Sequence, residues 1–318
     1  MSARLHPGSL AALGLAGLVA ASLSALLLAA QDGAGEISIV GAGFSPYIRR
    51  VVVFALSQAA VSTGLALVLG TALALALARR SFPGKDLVLA ALATAAVLPA
   101  IVLVFAVVAV YGRAGWAASL LAAAGLPGPG PLYGWPGILL AHTVLNVPLV
   151  ARVLLDRLAT VPAEQWRLAH TLRFSPLDVF RHIDAPILRA EIPGLAALVF
   201  LLCFTSFPIV LALGGGPGRA TLEVAIFEAL RLDLDFARAA ILSFVQIALC
   251  SLPVLVLALT ARRAPAATTA KLAAERADRG SRTLRWLDVL VLGLCTLLIL
   301  PPLAAVAAGL PSVPAILD

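Results

Sequence analysis

The chain has 318 residues, 61% of them hydrophobic and only 12% charged. A soluble globular domain carries about a quarter charged residues, so this composition would leave a water-facing surface uncovered and excludes an ordinary soluble protein. The net charge of +7 is no nucleic-acid footprint either, because the basic residues are shared among separate segments between apolar runs.

Seven apolar runs occupy 9–30, 51–78, 87–110, 134–151, 192–213, 237–260 and 286–309, each near the roughly 20 residues that cross a bilayer. Lipid cannot hydrogen-bond a bare backbone, so the runs are predicted to be helices and the chain an all-α polytopic membrane protein. The first run follows Arg4 and ends Leu28-Ala29-Ala30. Small residues there suit a signal-peptide cut, but the core is long, and a retained helix is expected. Basic residues alternate between connecting segments. Arg4 lies in 1–8, and Arg79, Arg80 and Lys85 stand against Asp86 in 79–86. Six arginines lie in 152–191, and seven basic residues face Glu275 and Asp278 in 261–287. The intervening segments 31–50, 111–133 and 214–236 are neutral, carry only Arg113, and are net acidic, respectively. The positive-inside rule then places the N-terminus in the cytoplasm.

Inside the runs, Gly64 and Gly70 are expected at close helix approaches, and Pro99 and Pro208 should bend their axes. The polar residues there include Gln58, His142, Asn146, Thr205, Ser206 and Gln246. His142 and Asn146 share a helix face, and with Ser206 they are candidates to line a solute path. Hydrogen bonding between helices is the plainer role. Carboxylates are nearly absent from the spans between 9 and 260, so a proton or sodium relay has no seat. That disfavours an ion-coupled transporter. Cys203, Cys250 and Cys295 lie within runs as packing residues with no metal-ligand spacing. Histidines 6, 142, 170 and 182 form no recognisable catalytic set. No enzyme activity, metal or cofactor is expected.

Residues 164–186, EQWRLAHTLRFSPLDVFRHIDAP, interrupt this pattern. A short helix is predicted from Pro162 with Thr160 as cap, and Trp166, Ala169 and Leu172 form an apolar stripe at spacing three. Glu164, Arg167 and His170 fall on other faces. After a turn at Arg173-Phe174, Ser175-Pro176-Leu177-Asp178 reads as a capping box opening a second helix. Phe180 and Ile183 continue its apolar face, and Pro186 is expected to close it near 184. Helices this short, feeding straight into spans, do not suit a DNA-reading pair. A rigid knob that docks on a cytoplasmic partner fits better, with Glu164, Arg167 and Arg173 facing outward. The chain has no G-x-x-x-x-G-K-[ST] loop, and GGGP at 214–217 lacks the lysine. Nucleotide-driven transport would need a separate ATPase.

The knob resembles the E-A-A-x-x-x-G-x9-I-x-L-P loop of inner-membrane permeases of binding-protein-dependent ABC importers. Ala169 matches the second alanine, Ile183 the isoleucine and Pro186 the final proline. Arg167, Leu168, Arg173 and Ala185 replace glutamate, the first alanine, glycine and leucine. VYGRAGWAASL, GILLAHTVLNVPLVARVLLDRL and LCFTSFPIVLALGGGPGRATLEVAIFEALR are similar to permeases of thiamine (thiamine pyrophosphate) importers. Ferric-iron importer permeases are the alternative.

The resemblance implies a six-span (MetI-like) transmembrane domain over 1–260, containing the coupling loop 152–191. Beyond that domain lies the basic linker 261–285, where the residues KLAAERADRGSRTLRW are able to form a short surface helix. Residues 286–318 would then open a second, truncated permease half. The implied partners are ABC ATPase subunits on the cytoplasmic side, a periplasmic binding protein that meets the acidic segment 214–236, a small-molecule solute and the bilayer, but no nucleic acid. The implied site is a bacterial inner membrane. Glu164, Trp166, Arg167, Ala169, Leu172, Arg173, Ser175, Ile183 and Pro186 would form the ATPase-coupling surface.

Overall fold

The computed structural model describes residues 45–128, 130–260 and 276–309, together with Ala21 and Ser24. Ala21 and Ser24 are helical, and the rest of the first apolar run lies outside the described residues, as does the linker stretch 261–275. All regular structure among the described residues is helical. Among the described residues, six stretches are long and apolar enough to cross a membrane: Pro46–Arg79, Ala100–Ala123, Trp135–Leu158, Pro176–Phe204, Phe236–Leu255 and Arg282–Ala307.

Helix α1 (Pro46–Arg79) covers the second apolar run. Lys85 reaches back to its end and donates from Nζ to the carbonyls of Leu77 and Arg80 at 2.6 and 2.9 Å, occupying acceptors that a helix end leaves unmet. Burial lowers the Lys85 pKa from its ordinary value, with the Arg279 charge adding to the effect. The run 87–110 is not one helix. It divides into α2 (Lys85–Ala95) and α3 (Ala100–Tyr111), followed by α4 (Trp116–Ala123). Pro99 disfavours helical geometry at the residue before it, so it breaks the run rather than bending it.

Helix α5 (Trp135–Leu158) is the centre of its unit, with 61% of its most apolar window buried. It packs against α2, α3, α8 (Ala185–Phe204) and α9 (Phe207–Leu213). The run 192–213 is thus also broken, between α8 and α9, just before Pro208. Between α5 and α8 lie α6 (Ala163–Thr171), α7 (Pro176–Val179) and a π turn at Phe180–Asp184.

The described residues divide into two compact units, one of 45–55 with 220–252, the other of the remainder from 56 to 219 and beyond 252. In the first, α10 (Leu222–Arg231) buries Leu222, Val224, Ala225 and Ala229, and α11 (Phe236–Thr260) begins. The acidic residues of this unit are largely paired. Asp233 and Asp235 lie 2.8 and 3.0 Å from Arg238, and Glu223 accepts from Gln246 at 3.0 Å. In the second unit, α12 (Arg282–Ala307) is capped by Ser281 and packs on α2 and α3. Tyr111 donates to the carbonyls of Leu297 and Leu298, at 3.1 Å each. Of the segment 271–286 expected to form a short surface helix, 271–275 lies outside the described residues, 276–281 is turn and coil, and 282–286 is helical as the start of the helix Arg282–Ala307.

The two glycines of α1 differ in what surrounds them. A Cβ on Gly70 would stand 2.6 Å from Val150 of α5, whereas one on Gly64 would meet nothing within 4 Å. Only Gly70 is therefore at a close approach here. Gly70→Ala should lower the thermal unfolding midpoint of the detergent-purified protein by the equivalent of about 1–3 kcal/mol. Gly64→Ala should leave it unchanged or raise it, by up to about 1 kcal/mol of helix propensity.

Candidate functional site

The knob is built from local rules. Helix α6 begins after Pro162, with Glu164 in its first turn, where a carboxylate suits the positive end of the helix. Thr160 is not its cap: its hydroxyl donates to the Arg157 carbonyl at 2.7 Å. The helix closes when Phe174 N–H bonds the Ala169 carbonyl at 2.9 Å and Arg173 N–H the His170 carbonyl at 3.1 Å. That pattern needs a left-handed residue after the cap, and Arg173 supplies it with φ 51°. The expected capping box is present. Asp178 N–H donates to Ser175 Oγ, and Ser175 N–H donates to Asp178 Oδ2 at 3.0 Å.

Three further expectations fail here, the first being Phe180, which is exposed instead of joining Ile183 in a buried face. Leu172 does not extend the buried stripe but stands 57% exposed, because the helix ends at Thr171 and Leu172 has left helical geometry. Pro186 does not end the second helix. The Ala185 N–H bonds the Phe180 carbonyl, five residues back, and α8 then carries Pro186 in its first turn. The wider π turn absorbs the proline, whose missing N–H costs little at a helix start.

Trp166 and Ala169 are buried with Val179 and Ile183 in a small core, against which Val161, Phe174 and Ala277 pack. Glu164, Arg167, Arg173, Ser175 and Pro186 are exposed, as are Leu168, Leu172, Leu177 and Phe180. The knob therefore offers an apolar and basic outer face over a private core. Its anchor was not foreseen. Arg276 is buried with its guanidinium carbon 4.7 Å from the Trp166 ring centroid. It donates to Asp184 at 2.8 and 3.2 Å and to Asp278 at 3.0 and 3.1 Å. Burial opposes its charge, but its hydrogen bonds to Asp278 and Asp184 outweigh burial, and the Arg276 pKa is raised.

His142, Asn146 and Ser206 are brought together in a buried polar network of the second unit. His142 Nδ1 lies 2.9 Å from Ser62 Oγ, and its Nε2 lies 2.6 Å from Ser206 Oγ. A neutral imidazole donates from one nitrogen and accepts at the other, so one serine must donate and the other accept. Asn146 Nδ2 donates to the His142 carbonyl at 3.0 Å and to Cys203 Sγ at 3.3 Å.

The break between α8 and α9 completes the network. Pro208 lacks an N–H, and Phe207 N–H bonds Thr205 rather than Cys203. The Cys203 carbonyl is taken up by Gln58 Nε2 at 2.9 Å. Gln58 Oε1 and Asn146 Oδ1 are buried without a hydrogen-bond partner. Sequence reasoning missed Ser62 and the polar part played by Cys203, because neither serine nor cysteine stands out in an apolar helix. Among the described residues no group of His, Cys, Asp and Glu could hold a metal ion.

Trp166→Ala should destabilise the knob by about 3–5 kcal/mol, while Leu172→Ala should stay within about 0.5 kcal/mol. Ser175→Ala should cost about 1 kcal/mol, and Arg173→Gly should gain about 1 kcal/mol by relieving the left-handed residue. Hydrogen exchange of the 163–180 amides checks all four in order of protection.

No protein-family model matches the chain. The thiamine transport system permease protein ThiP of Salmonella typhimurium is 44% identical over 261 residues, 82% of this chain and 48% of the relative. Its namesakes in Brucella melitensis and Escherichia coli are 40% and 41% identical over 95% and 91% of this chain. The chain spans about half the length of these relatives, 55% and 54% in the latter two. In structure it resembles a chain of a bacterial alginate ABC transporter, solved in complex with an alginate pentasaccharide-bound periplasmic protein. The TM-score is 0.61 at 14% identity, over 79% of this chain and 92% of the other. A second structure, of a bacterial ABC transporter that imports alginate, gives 0.63 at 13%. By sequence the chain is similar over most of its length to about half of the thiamine transport system permease proteins, and by fold it is similar to a chain of the bacterial alginate ABC transporters.

Proposed function

We propose that this chain is the transmembrane permease portion of an ATP-driven, binding-protein-dependent importer of thiamine or thiamine pyrophosphate in a bacterial inner membrane. The similarity of 39–44% over most of the chain to thiamine permeases carries the reading. A preformed knob with its own core between α5 and α8 supports it. The chain is itself no enzyme. It lacks a phosphate-binding loop, and ATP hydrolysis belongs to a separate ABC subunit docked on the knob.

The N-terminus and the knob lie on the cytoplasmic side, where the basic connections concentrate. Arg167, Arg173 and Glu164 with the exposed leucines form the docking face. Trp166, Ala169 and Ile183 keep it rigid, and Ser175 and Pro186 set where the second helix starts and how it runs into the span. Closure of two ATPase subunits on MgATP pushes the knob and, through α8, shifts the break at Thr205-Ser206. His142, Asn146 and Ser206 line the solute path there, and the unpartnered oxygens of Gln58 and Asn146 are acceptors for a solute's N–H groups. The periplasmic binding protein delivers solute at the opposite face. Residues 1–260 act as one six-span half, and 286–318 open the second.

Similarity of 30% over 186 residues to a putative 2-aminoethylphosphonate permease of Salmonella typhi shows related sequences named for another solute, so substrate needs its own test. Proteoliposomes holding the full-length permease, its ATPase and its binding protein should take up labelled thiamine only with ATP. Ferric-iron uptake instead would sink the substrate, and gradient-driven uptake without ATP would sink the class. A photo-cross-linker at Arg167 should label the ATPase, and no label in any nucleotide state would remove the knob from coupling. Asn146→Leu should lower uptake by at least tenfold, the scale of about 1.4 kcal/mol, with complex assembly unchanged.

A further inference from the structure

The stretch from Arg276 to Asp288 touches the knob and the spans in succession. Arg276 stacks on Trp166 of α6 and grips Asp184 at the π turn with a two-pronged guanidinium. Ala277 packs against the knob's core. Arg279 Nε donates to the Arg79 carbonyl at 3.0 Å, while Arg80 Nη1 donates to the Arg279 carbonyl at 2.8 Å. Asp288, buried in the first turns of α12, then receives Arg79 and Arg80, each at 2.6 Å. One arginine sits between two aspartates at one end and two arginines sit on one aspartate at the other. The two buried clusters are complementary in charge and together nearly neutral. A solvated linker needs none of this, since a buried ion pair gives little net stability over apolar packing but breaks at high cost when one partner is removed.

We propose that residues 276–288 are a strap that fixes the coupling knob to α1 and α12, with Arg276 the positioning residue that holds α6 in register. When a docked ATPase displaces the knob, the strap makes the end of α1 and the start of α12 follow it, instead of letting α6 swing alone about the turn at Arg173. The inference rests on the permease reading for its partner, but its geometry is independent of substrate.

The test uses the full-length permease reconstituted with its ATPase and binding protein. Arg276→Gln should leave co-purification of the ATPase unchanged and reduce substrate taken up per ATP hydrolysed severalfold. Arg276→Lys, which keeps the charge but loses the planar fork, should recover part of it. A coupling ratio equal to wild type in assembled Arg276→Gln overturns the strap.

Should Arg276→Gln not accumulate, Ala169→Cys with Ala277→Cys decides the matter. A short thiol cross-link between them should form and leave uptake at the level of the same variant before cross-linking, because knob and strap move together. No cross-link, or a cross-linked permease that cannot transport, overturns the proposal. Wild-type protein without ATP-dependent uptake would instead refute the permease reading. In that case the strap is judged by hydrogen exchange of the 163–171 amides, which Arg276→Gln must accelerate and Arg276→Lys partly restore. Unchanged exchange overturns it.

Discussion

In a chain this apolar, few polar groups can rely on water, and nearly every feature of the structure answers the need to give each donor and acceptor a partner within the protein. Hydrocarbon cannot satisfy backbone N–H and C=O groups, so all regular structure among the described residues is helical. The same need governs helix ends. Lys85 closes the carbonyls at the end of α1, and Ser175 and Ser281 close the amides that open α7 and α12. Where the chain turns between spans, side chains replace the missing backbone partners.

Proline makes this need local and useful. At Pro186 the helix widens by one residue into a π turn and continues. At Pro208 it breaks, and the freed Cys203 carbonyl draws in Gln58 from α1. The buried serines on either side of His142 then link α1, α5 and the Thr205-Ser206 break. A polar network has thereby been assembled at a discontinuity of the backbone. A discontinuous helix can rearrange at small cost compared with an intact one.

The knob solves a different problem. Two short helices cannot bury enough surface to be rigid alone, so this pair needs anchors beyond its own backbone. The Trp166 core supplies part of the answer and Arg276 the rest, since its guanidinium satisfies two carboxylates and covers the indole at once. Arg173 shows that the backbone demand is stricter than the residue filling it. The αL turn persists although the side chain there is not the glycine of the resembling loop.

The sequence by itself determined the helical class, the approximate position of four of the six described spans, the capping box at Ser175, and the shared face of Trp166 and Ala169. These follow from apolar run length, period and local hydrogen bonding, all of which act between near neighbours in the chain. Tertiary structure alone decided that Leu172 turns outward, that Pro99 breaks a run and Pro186 does not, and that Gly70 rather than Gly64 lies against another helix. It also brought Ser62 to His142 and Arg276 to Trp166 and Asp184, partners 80 and 92 or more residues apart. Such contacts depend on which helices become neighbours, and no local pattern encodes that. A buried charge is placed by the partner that neutralises it, and that partner is visible only once the chain has folded.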